Sequence, residues 1–260
     1  MKVKLGKIDL KYFFSENENE NTVIFVHGLG ANLSQFENQH DFFQDKYNVL
    51  SINLRGHGNT TASQELTELD FTVSELSNDI IMLFDILGIK KAHYIGNSMG
   101  GNVGYELLKN NSNRLLSFTT FGTTAKLNKL KITVDFMKII YKLLNIKTIA
   151  KLSSSTGRNK DSKNKIKKMM GCARKETILK IIPNLVRFDY LNVIKSANIP
   201  SMIIQGDMDR DINKVIESTI DAWKEKDNFR LIKMKNAGHF ANLDNPEEFN
   251  KIIESFLEYV

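Results

Sequence analysis

The sequence has little with which to cross-link or stiffen itself. Its 260 residues include one cysteine, Cys172, three prolines and one tryptophan. A lone cysteine closes no internal disulfide, which excludes a disulfide-stapled scaffold and makes a reducing, cytoplasmic compartment the expectation. No apolar run approaches the roughly 18 residues that span a bilayer, so an integral membrane protein is not expected. The opening stretch, MKVKLGKIDLKYFF, breaks its apolar residues with Lys2, Lys4, Lys7 and Lys11. A secretory leader needs an uninterrupted apolar centre, so the chain reads as untargeted and soluble. Metal-ligand spacings are missing too: there is no HExxH and no cysteine pair. The run Asp207, Asp209, Asp211 lacks the glycine and distal glutamate of a calcium loop. No metal and no cofactor is expected.

What is present is an ordinary globular composition, 42% hydrophobic and 25% charged, which excludes a disordered or collagen-like chain. Charge is unevenly spread. Residues 124–195 hold 18 Lys and Arg against 4 Asp and Glu, while the whole chain has 36 against 30. That split reads as a basic insert on an acidic core, and its sharper reading is a surface that meets an anionic carrier or surface. Aromatics interleaved for base stacking are sparse, so nucleic acid is not expected as a partner.

Up to residue 122 strand-like and helix-like segments alternate. Residues 22–26 (TVIFV) end at His27-Gly28, and residues 48–53 (NVLSIN) precede Arg55-Gly56-His57-Gly58. Thr72 with Glu75 predicts a helix start. Ile80, Leu83, Phe84 and Leu87 follow at helical spacing, and Gly88 supplies the stop. Residues 92–95 and 115–121 are the next strands. Short apolar strands parted by helices predict a parallel sheet covered on both faces, with an antiparallel hairpin from the first fourteen residues at one edge.

The rhythm stops after Thr123. Residues 131–144 place Ile132, Phe136, Ile139, Ile140, Leu143 and Leu144 on one face of an amphipathic helix. Residues 153–168 read as a polar, lysine-rich loop or helix end. Helical pieces follow to Ile182, with no strand evident. The α/β pattern returns with a strand over 201–205, a helix over 212–223, a strand over 229–234, and a closing helix begun by Asn245 and Pro246. The expected division is a core of residues 1–122 and 190–260 with a helical cap of residues 123–189.

The sharpest chemical signal is Gly96-Asn97-Ser98-Met99-Gly100 between a strand and a helix. A nucleophile on such a tight turn needs small neighbours, and the helix N-terminus behind it favours developing negative charge. A serine hydroxyl also needs a base. Of the five histidines, His93 lies in a strand and His40 in a polar helical stretch. His239 lies in Asn236-Ala237-Gly238-His239-Phe240, a loop just past the last strand, on the sheet edge where open α/β proteins gather functional groups. Asp207, Asp209 and Asp211, past the preceding strand, are the acid candidates. Gly28-Leu29-Gly30 could open a dinucleotide fingerprint, but Leu33 stands at the third glycine position and Asn53 where an acidic ribose ligand belongs.

Together, His27-Gly28-Leu29-Gly30, Arg55-Gly56-His57-Gly58, Gly96-Asn97-Ser98-Met99-Gly100-Gly101, Gly206-Asp207-Met208-Asp209 and Ala237-Gly238-His239 resemble the α/β-hydrolase fold family, of the single-domain type with a helical cap. The resemblance covers nearly the whole chain. It implies a mostly parallel, doubly wound sheet of about eight strands. It also implies Ser98 as nucleophile, His239 as general base and Asp209, rather than Asp207, as the acid that orients it. The backbone N–H groups of Met99 and Leu29 would form the oxyanion hole, and His27 would hold its loop. Serine at the elbow, where epoxide-opening and dehalogenating members carry aspartate, points to acyl transfer. The expected activity is hydrolysis of carboxylic esters, as in a serine esterase or lipase, with a small-molecule ester or acyl substrate. The alternatives are a C–C bond hydrolase or cofactor-free perhydrolase on the same triad, or a non-catalytic receptor on this scaffold.

Overall fold

The β-branched and aromatic runs do form the strands. The computed structural model of the chain describes residues 1–17, 21–62 and 65–260. The first half holds β1 (Lys2–Leu5), β2 (Ile8–Ser15), β3 (Thr22–Val26), α1 (Glu37–Phe43), β4 (Asn48–Ile52), β5 (Thr61–Ala62), α2 (Val73–Ile86), β6 (Ala92–Asn97), α3 (Met99–Asn110) and β7 (Leu115–Phe121). An insert follows, with β8 (Lys126–Asn128), α4 (Lys131–Leu143), α5 (Ile146–Ser154), α6 (Lys160–Gly171), α7 (Lys175–Ile181) and β9 (Arg187–Asp189). The chain ends with α8 (Leu191–Ser196), β10 (Ser201–Gly206), α9 (Arg210–Asn213), α10 (Glu217–Lys224), β11 (Phe229–Met234), α11 (Ala241–Asp244) and α12 (Pro246–Leu257).

Nine strands make one sheet in the order β1-β2-β4-β3-β6-β7-β10-β11, with β5 paired to β2. From β4 to β11 every neighbour is parallel, while β2 meets β1, β4 and β5 antiparallel. Alternate side chains of β3 explain why it reads as an unbroken apolar run. Ile24 and Val26 join the cluster containing Leu83, Phe84 and Trp223, whereas Val23 and Phe25 join the one containing Phe36, Phe43 and Phe249. Both faces are covered, so neither set can be polar. Each such fully buried side chain contributes roughly 1.5–3 kcal/mol by leaving water. The strand order reverses direction at β3, and the C-terminal ends of β3 and β6 meet at that switch point, the crevice where open α/β sheets bind ligands.

Helix ends follow the local chemistry. Thr72 accepts a hydrogen bond from the Glu75 N–H at 3.2 Å, and Gly88 ends that segment at φ +69°. Asn245 caps α12 through the Glu248 N–H, with Pro246 in its first turn. Three expectations need correction. Residues 153–168 are not mainly loop: Asn159 and Ser162 form a reciprocal cap, and α6 runs from Lys160. Only Ser162, Ile166, Met169 and Met170 of α6 are buried, so lysines hide its period. The insert is not strand-free either, because β8 and β9 pair antiparallel where the chain leaves and rejoins the core. Three residues each are too few to show alternation. The helix expected over 212–223 is two, because Asp209 caps a one-turn α9 and α10 starts afresh at Glu217.

The amphipathic face of α4 is the fourth correction. The apolar face of a cap helix is expected to line an acyl pocket over Ser98 with its lysines outward, but Phe136, Ile139 and Leu143 point outward, 61%, 51% and 79% exposed. Ile132 lies outside the residues whose side chains are described. Lys138, on another side of the helix, reaches the exposed Glu68 Oε1 at 3.4 Å. The inner positions are taken by Val134, which packs with Ile178, Ile182 and Val186.

Candidate active site

Ser98 sits between β6 and α3 at φ +52° and ψ −118°, a backbone conformation that costs a non-glycine residue energy and persists only when its surroundings enforce it. The surroundings do so from both sides. The Ser98 N–H donates to the Phe121 carbonyl at 3.0 Å, and the Tyr94 hydroxyl donates to the Gly100 carbonyl at 2.5 Å. A Cβ on Gly100 would strike the Val26 carbonyl oxygen, so α3 approaches β3 this closely only because residue 100 is glycine.

His239 follows β11, in the loop before α11, and its Nδ1–H donates to Asp209 Oδ2 at 2.9 Å. The other oxygen of Asp209 accepts the Ile212 N–H at 3.4 Å. Asp209 is nearly buried, its side chain 7% exposed, while the His239 ring is 25% exposed. The other two acids are elsewhere engaged. Asp207 accepts the Ala237 N–H at 3.2 Å as a turn residue, and the Asp211 side chain is 97% exposed. Burial and the 2.9 Å contact both select Asp209 as the partner of the imidazole.

Ser98, Met99 and Leu29 line one cavity of about 250 Å³. Its far wall comes from the insert, with Ile182, Leu185, Val186 and Phe188 facing the serine. Neither the Leu29 nor the Met99 N–H donates to another described residue. His239 and Asp209 open instead onto a neighbouring cleft, and Ile212 borders both spaces. Among the described residues the Ser98 hydroxyl has no hydrogen-bond partner. The two halves are joined by backbone and amide contacts around Gly122. Asn97 Nδ2 donates to the His239 carbonyl at 2.9 Å and to the Phe121 carbonyl at 3.2 Å. A Cβ on Gly122, at φ +60°, would lie 2.7 Å from the His239 carbonyl oxygen and 3.2 Å from its Nδ1.

The remaining histidines are structural in geometry. His27 Nε2 accepts the Leu54 N–H at 3.1 Å and its Nδ1–H donates to the Gly28 carbonyl at 2.8 Å, fixing the loop after β3. Burial, helped by the neighbouring His57, pushes its pKa down to about 3, so it stays neutral. Burial likewise holds His40, His57 and His93 at about 4. Among the described residues no group of three His, Cys, Asp or Glu is placed to hold a metal ion.

Two sets of residues were not anticipated from the sequence. Buried amides run from the elbow toward α12: Gln35 Nε2 donates to Asn97 Oδ1 at 3.0 Å, Asn242 Nδ2 to Gln39 Oε1 at 3.0 Å, and Gln39 Nε2 to Asn250 Oδ1 at 2.7 Å. Asp244 accepts the N–H groups of Gly238 at 2.8 Å and Arg158 at 2.7 Å, tying the histidine loop to the insert. Asn and Gln within apolar segments were the available signal, but nothing in their spacing names their partners.

These features define an α/β-hydrolase-fold protein. The family model described as the alpha/beta hydrolase fold matches residues 21–142, the part that carries the elbow. Over nearly its full length the chain is similar to 3-oxoadipate enol-lactonase 2 of Acinetobacter baylyi, with 24% identity covering 96% of this chain and 94% of that one. Among solved structures it is similar to the enol-lactonase from Burkholderia xenovorans, at TM-score 0.87 and 19% identity, covering 99% of this chain and 100% of that one. It is also similar to a thermophilic esterase from Thermogutta terrifontis, at TM-score 0.86 and 19% identity, covering 100% and 98%.

Proposed function

We propose that the protein is a serine hydrolase of carboxylic esters, small cyclic esters (lactones) included. The observation that carries this reading is the His239–Asp209 contact at 2.9 Å, on the same sheet edge as a serine held at φ +52°. In the proposed cycle His239 Nε2 takes the Ser98 proton as Oγ attacks the ester carbonyl. Asp209 fixes the ring tautomer and stabilises the imidazolium. The N–H groups of Met99 and Leu29 hold the oxyanion, each worth about 3–4 kcal/mol of barrier. Collapse expels the alkoxide, which takes the proton from His239 and leaves an acyl-serine. Water then attacks through the same base, releasing the acid and restoring Ser98. For a lactone the alkoxide remains tethered to the acyl group, so one hydroxy acid is the product.

The cavity supports a small substrate: about 250 Å³ lies at the lower edge of ligand pockets, which run roughly 300–1,000 Å³. Similarity to proteins named enol-lactonases favours the cyclic ester within that class. The test is labelling with a fluorophosphonate, followed by turnover of short p-nitrophenyl esters against a lactone panel. Adduct formation on Ser98, lost in His239→Ala, together with turnover lost in Ser98→Ala, is the expected result. An unlabelled Ser98 with turnover intact in Ser98→Ala would overturn it.

A further inference from the structure

The outward face of α4 has no counterpart in the chemistry above. Phe136, Ile139, Ile140 and Leu143 recur at helical spacing and are all exposed, Leu143 to 79%. Leu130 at the N-cap and Leu152 on α5 are 74% and 58% exposed. Isolated exposed apolar residues are normal, but a stripe on one helix marks a contact surface. Past the two-residue turn that ends α4, Lys147 and Lys151 of α5 and Lys167 of α6 line a shallow open depression of about 410 Å³. Among the described residues no carboxylate pairs with these three lysines or with Lys142. An apolar stripe flanked by unneutralised cations is the pattern of a surface that lies in the headgroup region of a membrane.

We infer that the α4–α5 face of the insert docks this protein onto an anionic lipid bilayer, with Phe136, Ile139 and Leu143 entering the acyl boundary and Lys142, Lys147 and Lys151 meeting lipid phosphates. Charge decides against a second copy of the chain as the occupant. Face-to-face dimerisation would bring these lysines together within an insert whose residues 123–189 carry 17 basic and 4 acidic side chains. No helix among the described residues is long and apolar enough to cross a membrane, so the contact is peripheral. It also reaches the cavity. Val134, on the opposite side of α4, packs on Ile182 and Val186, which wall the space in front of Ser98. Apolar esters and lactones partition into bilayers, and a docked insert would hold the cavity near that reservoir. This last link rests on the proposed hydrolase reading, whereas the docking itself does not.

The experiment is co-sedimentation of the full chain with vesicles of phosphatidylcholine alone or with about 30% phosphatidylserine, at low and high salt. Expected are partition onto the anionic vesicles only, weakening with salt, and equal partition of Ser98→Ala. Neutralising two lysines in Lys147→Gln/Lys151→Gln should lower partition roughly 30-fold. Leu143→Glu should lower it at least about tenfold. Both variants should keep the wild-type unfolding midpoint. No partition onto anionic vesicles overturns the inference. So does equal binding to neutral ones, or a lipid-free dimer that Leu143→Glu dissolves. If vesicles bind but no ester is turned over, the docking stands and the hydrolase reading falls.

Discussion

The side-chain amide of Asn97 donates to the backbone carbonyl of His239 at 2.9 Å, joining two residues 142 positions apart. Asn97 immediately precedes Ser98, the proposed nucleophile, and it is fully buried. The loop that carries the imidazole is therefore registered against the elbow by a bond that involves neither the Ser98 hydroxyl nor the His239 ring. Asn97→Ala is expected to lower stability by about 1–3 kcal/mol through the unpaired His239 carbonyl. It should also lower kcat tenfold or more with KM little changed, because small misplacements of catalytic groups are costly. Ester turnover and thermal unfolding of the same preparation check both, and an unchanged kcat would remove Asn97 from the site.

The acids two residues apart separate cleanly. Asp209→Asn keeps the shape but inverts the hydrogen bond to Nδ1, so kcat should drop by about 10³–10⁴-fold. Asp207→Asn still accepts the Ala237 N–H and should stay within about threefold of wild type. Steady-state kinetics on one p-nitrophenyl ester decides between them.

Four buried histidines make the fold acid-sensitive. His40 stands at about 4 in the folded chain, through burial, against roughly 6.5 when unfolded. Between those values the unfolded state binds more protons, so stability falls as pH falls. Above about pH 6.5 the contribution is complete and flat. His40 alone should forfeit about 2 kcal/mol by pH 5. Urea unfolding at pH 7.5 and pH 5 should show the decline, and His40→Phe, which can keep the stack on Phe13, should make it shallower.

Arg55 and Asp79 form a buried, two-point ion pair, Nε to Oδ2 at 2.7 Å and Nη2 to Oδ1 at 2.6 Å. Removing one partner strands the other, so Asp79→Ala or Arg55→Ala should each cost about 3–5 kcal/mol. Replacing both at once, as in Arg55→Met/Asp79→Leu, should cost clearly less than the two single losses added. Denaturant midpoints for the three variants test this coupling.

Much of this architecture was legible in the sequence, for reasons that differ by element. β3, β7 and β11 match their expected spans, β3 because both of its faces are buried and apolar, β7 and β11 because their apolar, aromatic and β-branched residues stand between polar turn segments. That one of Asp207, Asp209 and Asp211 would meet His239 was legible because both segments follow strand ends, which brings them to one edge, while the choice of Asp209 came from the family resemblance. β8 and β9 were not, since their pairing is a tertiary event between residues about sixty positions apart. Nor was the orientation of α4. Helical spacing identifies an apolar stripe but not what it faces, and here Ile178, Ile182 and Val186 already occupy the interior. Asn97 was visible only as the variable residue of a motif, and its partner emerges from folding alone.

The short ribbon of β8 and β9 sets Lys126 opposite Asp189, so the inserted segment departs and returns through a single paired neck. Such a segment has its two ends held together whatever the arrangement of its interior. Its four helices can be lengthened, exchanged or recomposed with little entropic penalty to the parallel ladder beneath. The make-up of that appendage and the geometry of the sheet edge are thereby mechanically separable, so either can change while the other stays fixed.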